Sequence, residues 1–194
     1  MNKLKLFFKA IKRAMSQEAY SDPKEAVRLY RKKGVVIGEN TELYNTSIDN
    51  LRPFLVEIGD NTLITGSKIL THDASTKKAL GYTKLGRVKI GNNVFVGLGT
   101  VILPGVTIGN NVIVGASTVV SKDIPDNSIV VGNPMRIIGS YDENVRRNAE
   151  RIATAPIFAI NYSMTDEEKA DMKQKLEGVI GYAAVDEELR RLGK

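Results

Sequence analysis

Residues 88–120 read VKIGNNVFVGLGTVILPGVTIGNNVIVGASTVV, and one pattern in them recurs every six residues. Large aliphatic residues fall at Ile90, Val96, Ile102, Ile108, Val114 and Val120, and two places before each sits Val88, Val94, Thr100, Val106, Val112 or Thr118. Neither a helix of 3.6 residues per turn nor an isolated strand of period two accounts for a step of six. A chain that turns a corner after each short strand does, and it winds a parallel β-helix with one aliphatic side chain per rung pointing inward. Gly91, Gly97, Gly109 and Gly115 follow four of the anchors, and Asn92–Asn93 and Asn110–Asn111 stand between rungs. These suit corners, because positive φ is cheap for Gly and tolerable for Asn.

Upstream the repeat is less regular. Ile37 and Leu43 begin it, and Ile58, Ile64 and Leu70 keep the step of six. Leu43 to Ile58 spans 15 residues, so YNTSIDNLRPFLVE bulges from a corner or skips a rung. Leu70 to Ile90 spans 20, and residues 71–87 (THDASTKKALGYTKLGR) show little of the pattern. With coil on both sides, this segment is expected as an extruded loop, and long loops in compact domains commonly carry function. Residues 1–34 read as a basic helical arm, its second helix capped by Ser21 or Asp22, with Pro23 in the first turn and Gly34 at the end. Residues 139–194 read as a helical extension, helical over 141–153 and 165–192, with Thr165 and Glu168 spaced as a capping box.

The chain of 194 residues suits one principal domain, here 35–138, with appendages. No apolar run approaches the roughly 20 residues that span a bilayer, and no secretory signal is evident, so the expected compartment is the cytosol. The absence of cysteine excludes disulfides, thiolate metal sites and a cysteine acyl-enzyme. Residues 1–33 hold ten Lys/Arg against three Asp/Glu, and this arm accounts for the overall charge of +6. A solvated helical face explains it. A membrane-surface helix is the sharper reading, since Leu4, Phe7, Phe8, Ile11 and Met15 share one face among lysines; that would place the protein at the inner face of the membrane. No nucleic-acid motif accompanies the charge.

Over residues 35–138, and most strongly over Ile90–Ile138 with its closing Gly132-Asn133-Pro134 and Arg136, the sequence resembles the hexapeptide-repeat acyltransferases of the maltose, galactoside and polysaccharide O-acetyltransferase kind. The resemblance implies a mainly β protein, a left-handed parallel β-helix with helical segments at both ends. It implies a homotrimer with active sites between subunits, and acetyl-CoA as donor with no metal. His72, the sole histidine, begins the loop where the family carries its general base. A neutral imidazole suits that role near pH 7. Asp73 or a backbone carbonyl would orient the ring. By the same resemblance the coenzyme lies along corners containing Gly97, Leu98, Ala116 and Ser121, with Lys122 and Arg136 at its nucleotide end. A backbone N–H near Gly97 would stabilise the oxyanion.

The acceptor implied is a hydroxyl of a free sugar or cell-surface polysaccharide, attacking the thioester directly. Two alternatives stand beside it, N-acetylation of an amino sugar and a non-catalytic scaffold, since solenoids bind partners readily. A zinc enzyme on the same fold would need three histidines, and this chain has one.

Overall fold

A computed structural model describes residues 22–160 and 163–184, and they form two compact units that divide between Tyr141 and Asp142. Asp22 caps the first helix, α1 (Pro23–Lys32), by accepting the Lys24 N–H. The arm's first fifteen residues, and with them the lipid-binding reading, lie outside the described residues.

The coil then winds. Its first turn is β1 (Val36–Ile37), β2 (Glu42–Tyr44) and β3 (Ser47–Ile48), and its second is β4 (Val56–Ile58), β5 (Leu63–Thr65) and β6 (Lys68–Ile69). An excursion follows, with β7 (His72–Asp73), the short helix α2 (Lys77–Leu80) and β8 (Lys84–Leu85). Two further turns run through β9 (Val88–Ile90), β10 (Val94–Val96) and β11 (Val101–Ile102), then β12 (Thr107–Ile108), β13 (Val112–Val114) and β14 (Val119–Val120). A fifth begins at Ile124, which bridges to Ile108, and continues into β15 (Ser128–Val131). Every pairing between turns is parallel, and the strands stack into three sheets. At the end Gly132 turns the chain back, so that β16 (Arg136–Gly139) closes the second sheet antiparallel to β15.

The six anchors of the regular block and the six residues two places before them are all buried. Stacked through the prism, they form one continuous core with Ile37, Leu43, Ile58 and Ile64. The threonines of this set survive burial because each hydroxyl is spent: Thr100 and Thr118 both donate to the Gly115 carbonyl.

The corners between the first and second sheets repeat one device. Asn40, Asn61, Asn93, Asn111 and Asn127 occupy them with φ between 52° and 57°, and positive φ recurs at other corners, as at Asn45 and Ser117. Left-handed backbone costs an ordinary L-residue roughly 1–2 kcal/mol. Asn offsets it by bonding from coil to coil, as Asn93 Nδ2 donates to Asn111 Oδ1 at 3.0 Å. The residue before it adds a second rung: the side chains of Asp60, Asn92, Asn110 and Asp126 each accept a backbone N–H from the turn before.

Three sequence expectations need correction. The anchor after Ile64 is Ile69, not Leu70: Ile69 is buried and pairs with Ile48 and Ile102. The corners YNTS and TGSK are one residue shorter than those of the later turns, so the step there is five. Residues 71–87 leave the coil as expected, yet they are ordered by an antiparallel pair, His72 with Leu85 and Asp73 with Lys84. The C-terminal helix stops early. After α3 (Tyr141–Ile152) and β17 (Ile157–Ala159), α4 (Asp166–Lys175) starts on the expected Thr165–Glu168 capping box but ends at Lys175. Gly178 adopts φ +72° and Gly181 is wedged against Leu176, Phe158 and Pro156, which turns the chain into β18 (Tyr182–Ala184), parallel to β17. Helical spacing in 176–184 loses to these two glycines.

Ile102 lies at the centre of this stack. We expect Ile102→Ala to cost about 2–5 kcal/mol in urea unfolding, while Val36→Ala, at a site 63% exposed, stays within about 0.5 kcal/mol. Equal losses would mean that the rungs do not carry the stability.

Candidate active site

His72 leaves the coil at the corner between the third and first sheets, one residue after the buried Thr71. Its ring is set by a residue from the preceding turn. Asp49 follows the buried Ile48, and its own N–H donates to the Ile69 carbonyl at 2.9 Å, which fixes it beside the start of the excursion. The Asp49 side chain is 2% exposed. Its Oδ1 accepts the Leu51 N–H at 2.9 Å, and its Oδ2 accepts the Thr71 N–H at 3.1 Å, the Thr71 hydroxyl at 2.8 Å, and His72 Nδ1.

Burial pushes the Asp49 carboxyl upward, but the bonds from His72, Leu51 and Thr71 outweigh it and hold the group well below the usual carboxylate range. An ionised carboxylate only accepts, so Nδ1 carries a proton, and in the neutral imidazole the lone pair lies on Nε2. Nε2 has no hydrogen-bond partner among the described residues, and the side chain is 31% exposed. The result is an oriented imidazole that, with Asp49, lines an open depression of about 280 Å³ together with Ser47, Asn50, Leu51, Lys68 and Leu70.

Asp73, the sequence candidate for orienting the ring, does not do so. The Ser75 N–H, then Lys84, hold its carboxyl down at about 2, and both bonds turn it along the excursion. Asp49 was missed because the misplaced anchor at Leu70 put the two turns out of register by one residue. With the short corner recognised, Asp49 falls directly under Leu70 and next to Thr71.

The other candidates divide between two corners. Gly97, Leu98 and Ala116 lie together at the corner between the second and third sheets. A Cβ on Gly97 would approach Ala116 N to 2.6 Å, so this stacking requires glycine. The Gly97 N–H is taken by the Val114 carbonyl at 2.8 Å and is not free for an oxyanion. The N–H groups of Leu98 and Ala116 donate to nothing among the described residues, and both residues are exposed. Arg136 pairs with Val131 near the top of that corner. Ser121 and Lys122 come after β14, at the corner that His72 also uses. All four of Ser121, Lys122, Leu98 and Ala116 are exposed. His72 and Leu98 thus sit on neighbouring edges of one prism, a face of six residues or roughly 15–20 Å apart.

Comparison with known proteins agrees with this architecture. Residues 87–122 match the family described as bacterial transferase hexapeptide (six repeats). Protein CapG of Staphylococcus aureus is 41% identical over 156 residues, 75% of this chain and 85% of CapG. A hexapeptide-repeat acetyltransferase of Vibrio cholerae superposes with a TM-score of 0.53 at 26% identity, over 69% of this chain and 88% of that one. Its complex with acetyl coenzyme A gives 0.50 at 32% identity, over 56% and 61%. A galactoside acetyltransferase in complex with coenzyme A gives 0.50 at 26% identity, over 70% and 80%.

The depressed carboxyl of Asp49 has a consequence for acid stability. Its contribution is complete above the ordinary value near pH 4 and is lost as pH falls toward the folded value. Thermal unfolding followed from about pH 7 to pH 2 should therefore weaken more steeply below about pH 4 in the wild type than in Asp49→Asn, which has no carboxyl to protonate. Identical acid limbs would show that the carboxylate is not held down.

Proposed function

Because the chain belongs to the bacterial hexapeptide-repeat transferases and is an acetyltransferase, we propose that it transfers the acetyl group of acetyl-CoA to a sugar hydroxyl with His72 as general base. The observation that carries the reading is the buried Asp49 carboxylate that engages Nδ1 of the only histidine, whose side chain lines an open depression.

In this reading the acceptor hydroxyl lies against Nε2. As its oxygen attacks the thioester carbonyl, the proton passes to Nε2, and Asp49 stabilises the imidazolium that forms. The tetrahedral oxyanion collapses, the C–S bond breaks, and the leaving sulfur takes the proton back from Nε2. Without cysteine there is no thioester on the enzyme, and transfer is direct. The free N–H of Leu98 or Ala116 is suited to the oxyanion and to the pantetheine amides. Lys122 and Arg136, exposed cations, are assigned to the nucleotide end, with Gly97 and Ser121 shaping the groove.

Separation of His72 from Leu98 by one face of the prism supports a site shared between subunits. A base must come within about 3 Å of the hydroxyl, and a rigid prism cannot fold one edge onto the next. A homotrimer of left-handed coils, packed about a threefold axis, brings the excursion of one chain to the groove of its neighbour. The sugar acceptor is supported by likeness to the galactoside acetyltransferase. No helix among the described residues is long and apolar enough to cross a membrane.

His72→Ala is expected to lower kcat by about 10²–10⁴-fold, with folding intact by circular dichroism; a loss of less than tenfold ends the general-base role. Asp49→Asn should lower kcat with little change in KM for acetyl-CoA. A mixed trimer of His72→Ala and Leu98→Pro chains, each inactive alone, should recover activity if the site is shared, and stay dead if each chain is self-sufficient.

A further inference from the structure

Two formally charged side chains line the depression beside His72, and they are differently engaged. The Asp49 carboxylate is 2% exposed and its oxygens already take four donors. Along the excursion Asp73 pairs with Lys84 at 3.0 Å. Lys68 is exposed and has no acidic partner among the described residues. It sits on β6 with its side chain outward, while its neighbour Ile69 points into the core. It lines the same depression as His72, with Ser47, Asn50 and the buried Asp49 as the remaining polar lining.

We propose that this depression is a subsite for an anionic acceptor, a sugar bearing a carboxylate or a phosphate group, with Lys68 as the residue that selects it. The inference rests on the acetyl-transfer reading of His72 and names the substrate class of that site. The charge does not serve the donor. With the thioester at Nε2, the pantetheine arm, an amide-linked chain as long as about four extended residues, carries the coenzyme phosphates roughly 14 Å away. A group beside the base therefore meets the acceptor. A lysine there counts because a charge-assisted bond in a partly desolvated hollow outweighs a neutral one, and because each nearby carboxylate that could compete for it is engaged.

The single histidine makes the test direct, since His72 gives the only imidazole signal in a proton NMR spectrum. Glucuronate, glucose 1-phosphate and glucose are titrated against the protein and the His72 resonance is followed. We expect a saturable shift with glucuronate or glucose 1-phosphate at a Kd at least about tenfold below that of glucose; which of the two binds tighter separates carboxylate from phosphate. Lys68→Glu should abolish the charged sugar's advantage, and Lys68→Arg should keep it. In acetyl transfer, Lys68→Gln should raise KM for the charged acceptor. Glucose binding as tightly as the charged sugars, or discrimination surviving Lys68→Glu, overturns the proposal. So does a rise in KM for acetyl-CoA in place of the acceptor, which would assign the charge to the donor. Absence of acetyl transfer by the wild type to every sugar would refute the sugar-acetylation reading of the site instead, and the NMR titration still decides the anion subsite.

Discussion

Each turn of this coil must place an aliphatic side chain under the one above it while the chain bends through three corners, and all else in the molecule depends on that stack. The inward rungs from Ile37 to Val130 are the bulk of the core, and Val27 of α1 joins them at the first turn. Burying one such side chain is worth about 1.5–3 kcal/mol, and the gain is realised only if the corners keep every turn at one height. The asparagine ladder holds that height, by taking left-handed backbone cheaply and tying each turn to the next. Stability is thus a sum of neighbouring-turn terms, as in other solenoids.

Rigidity of this kind makes the site possible. Asp49 and His72 belong to different turns, 23 residues apart in the chain. They meet because parallel pairing of Ile48 with Ile69 brings the ends of β3 and β6 side by side. Both strands then leave the coil at the same corner, one through residues 49–55 and one through 71–87, and the two excursions build the depression between them. A buried carboxylate with four donors has no freedom to leave, so the ring it holds is preorganised without a metal. The same rigidity keeps Leu98 and Ala116 on another edge of the prism from His72.

Legibility followed periodicity. Where six-residue spacing was strict, from Val88 to Val120, burial and pairing match the reading residue by residue. Where a corner lost one residue, at YNTS and TGSK, the spacing misassigned Leu70 as the anchor and hid Asp49. A one-residue error in a strand exchanges inside for outside, and here it also displaced the turn that supplies the carboxylate. Asp73 drew attention by adjacency in sequence, but neighbours along a strand point to opposite faces, so it looks away from the ring it follows. In the C-terminal unit, charge and helical spacing concealed two glycines that end a helix at Lys175 and permit a strand.

By itself the sequence determined the coiled architecture, the corner residues, the excursion at 71–87 and the residue most suited to act as a base, because each is written in local spacing or in a unique residue type. Tertiary structure alone decided which carboxylate orients that imidazole, which N–H groups remain unspent at the corner of Leu98 and Ala116, and which cation of the depression lacks an acidic partner. Those properties depend on hydrogen bonds and ion pairs between turns some twenty residues apart, where a shift of one position changes the partner and a linear pattern carries no record of it.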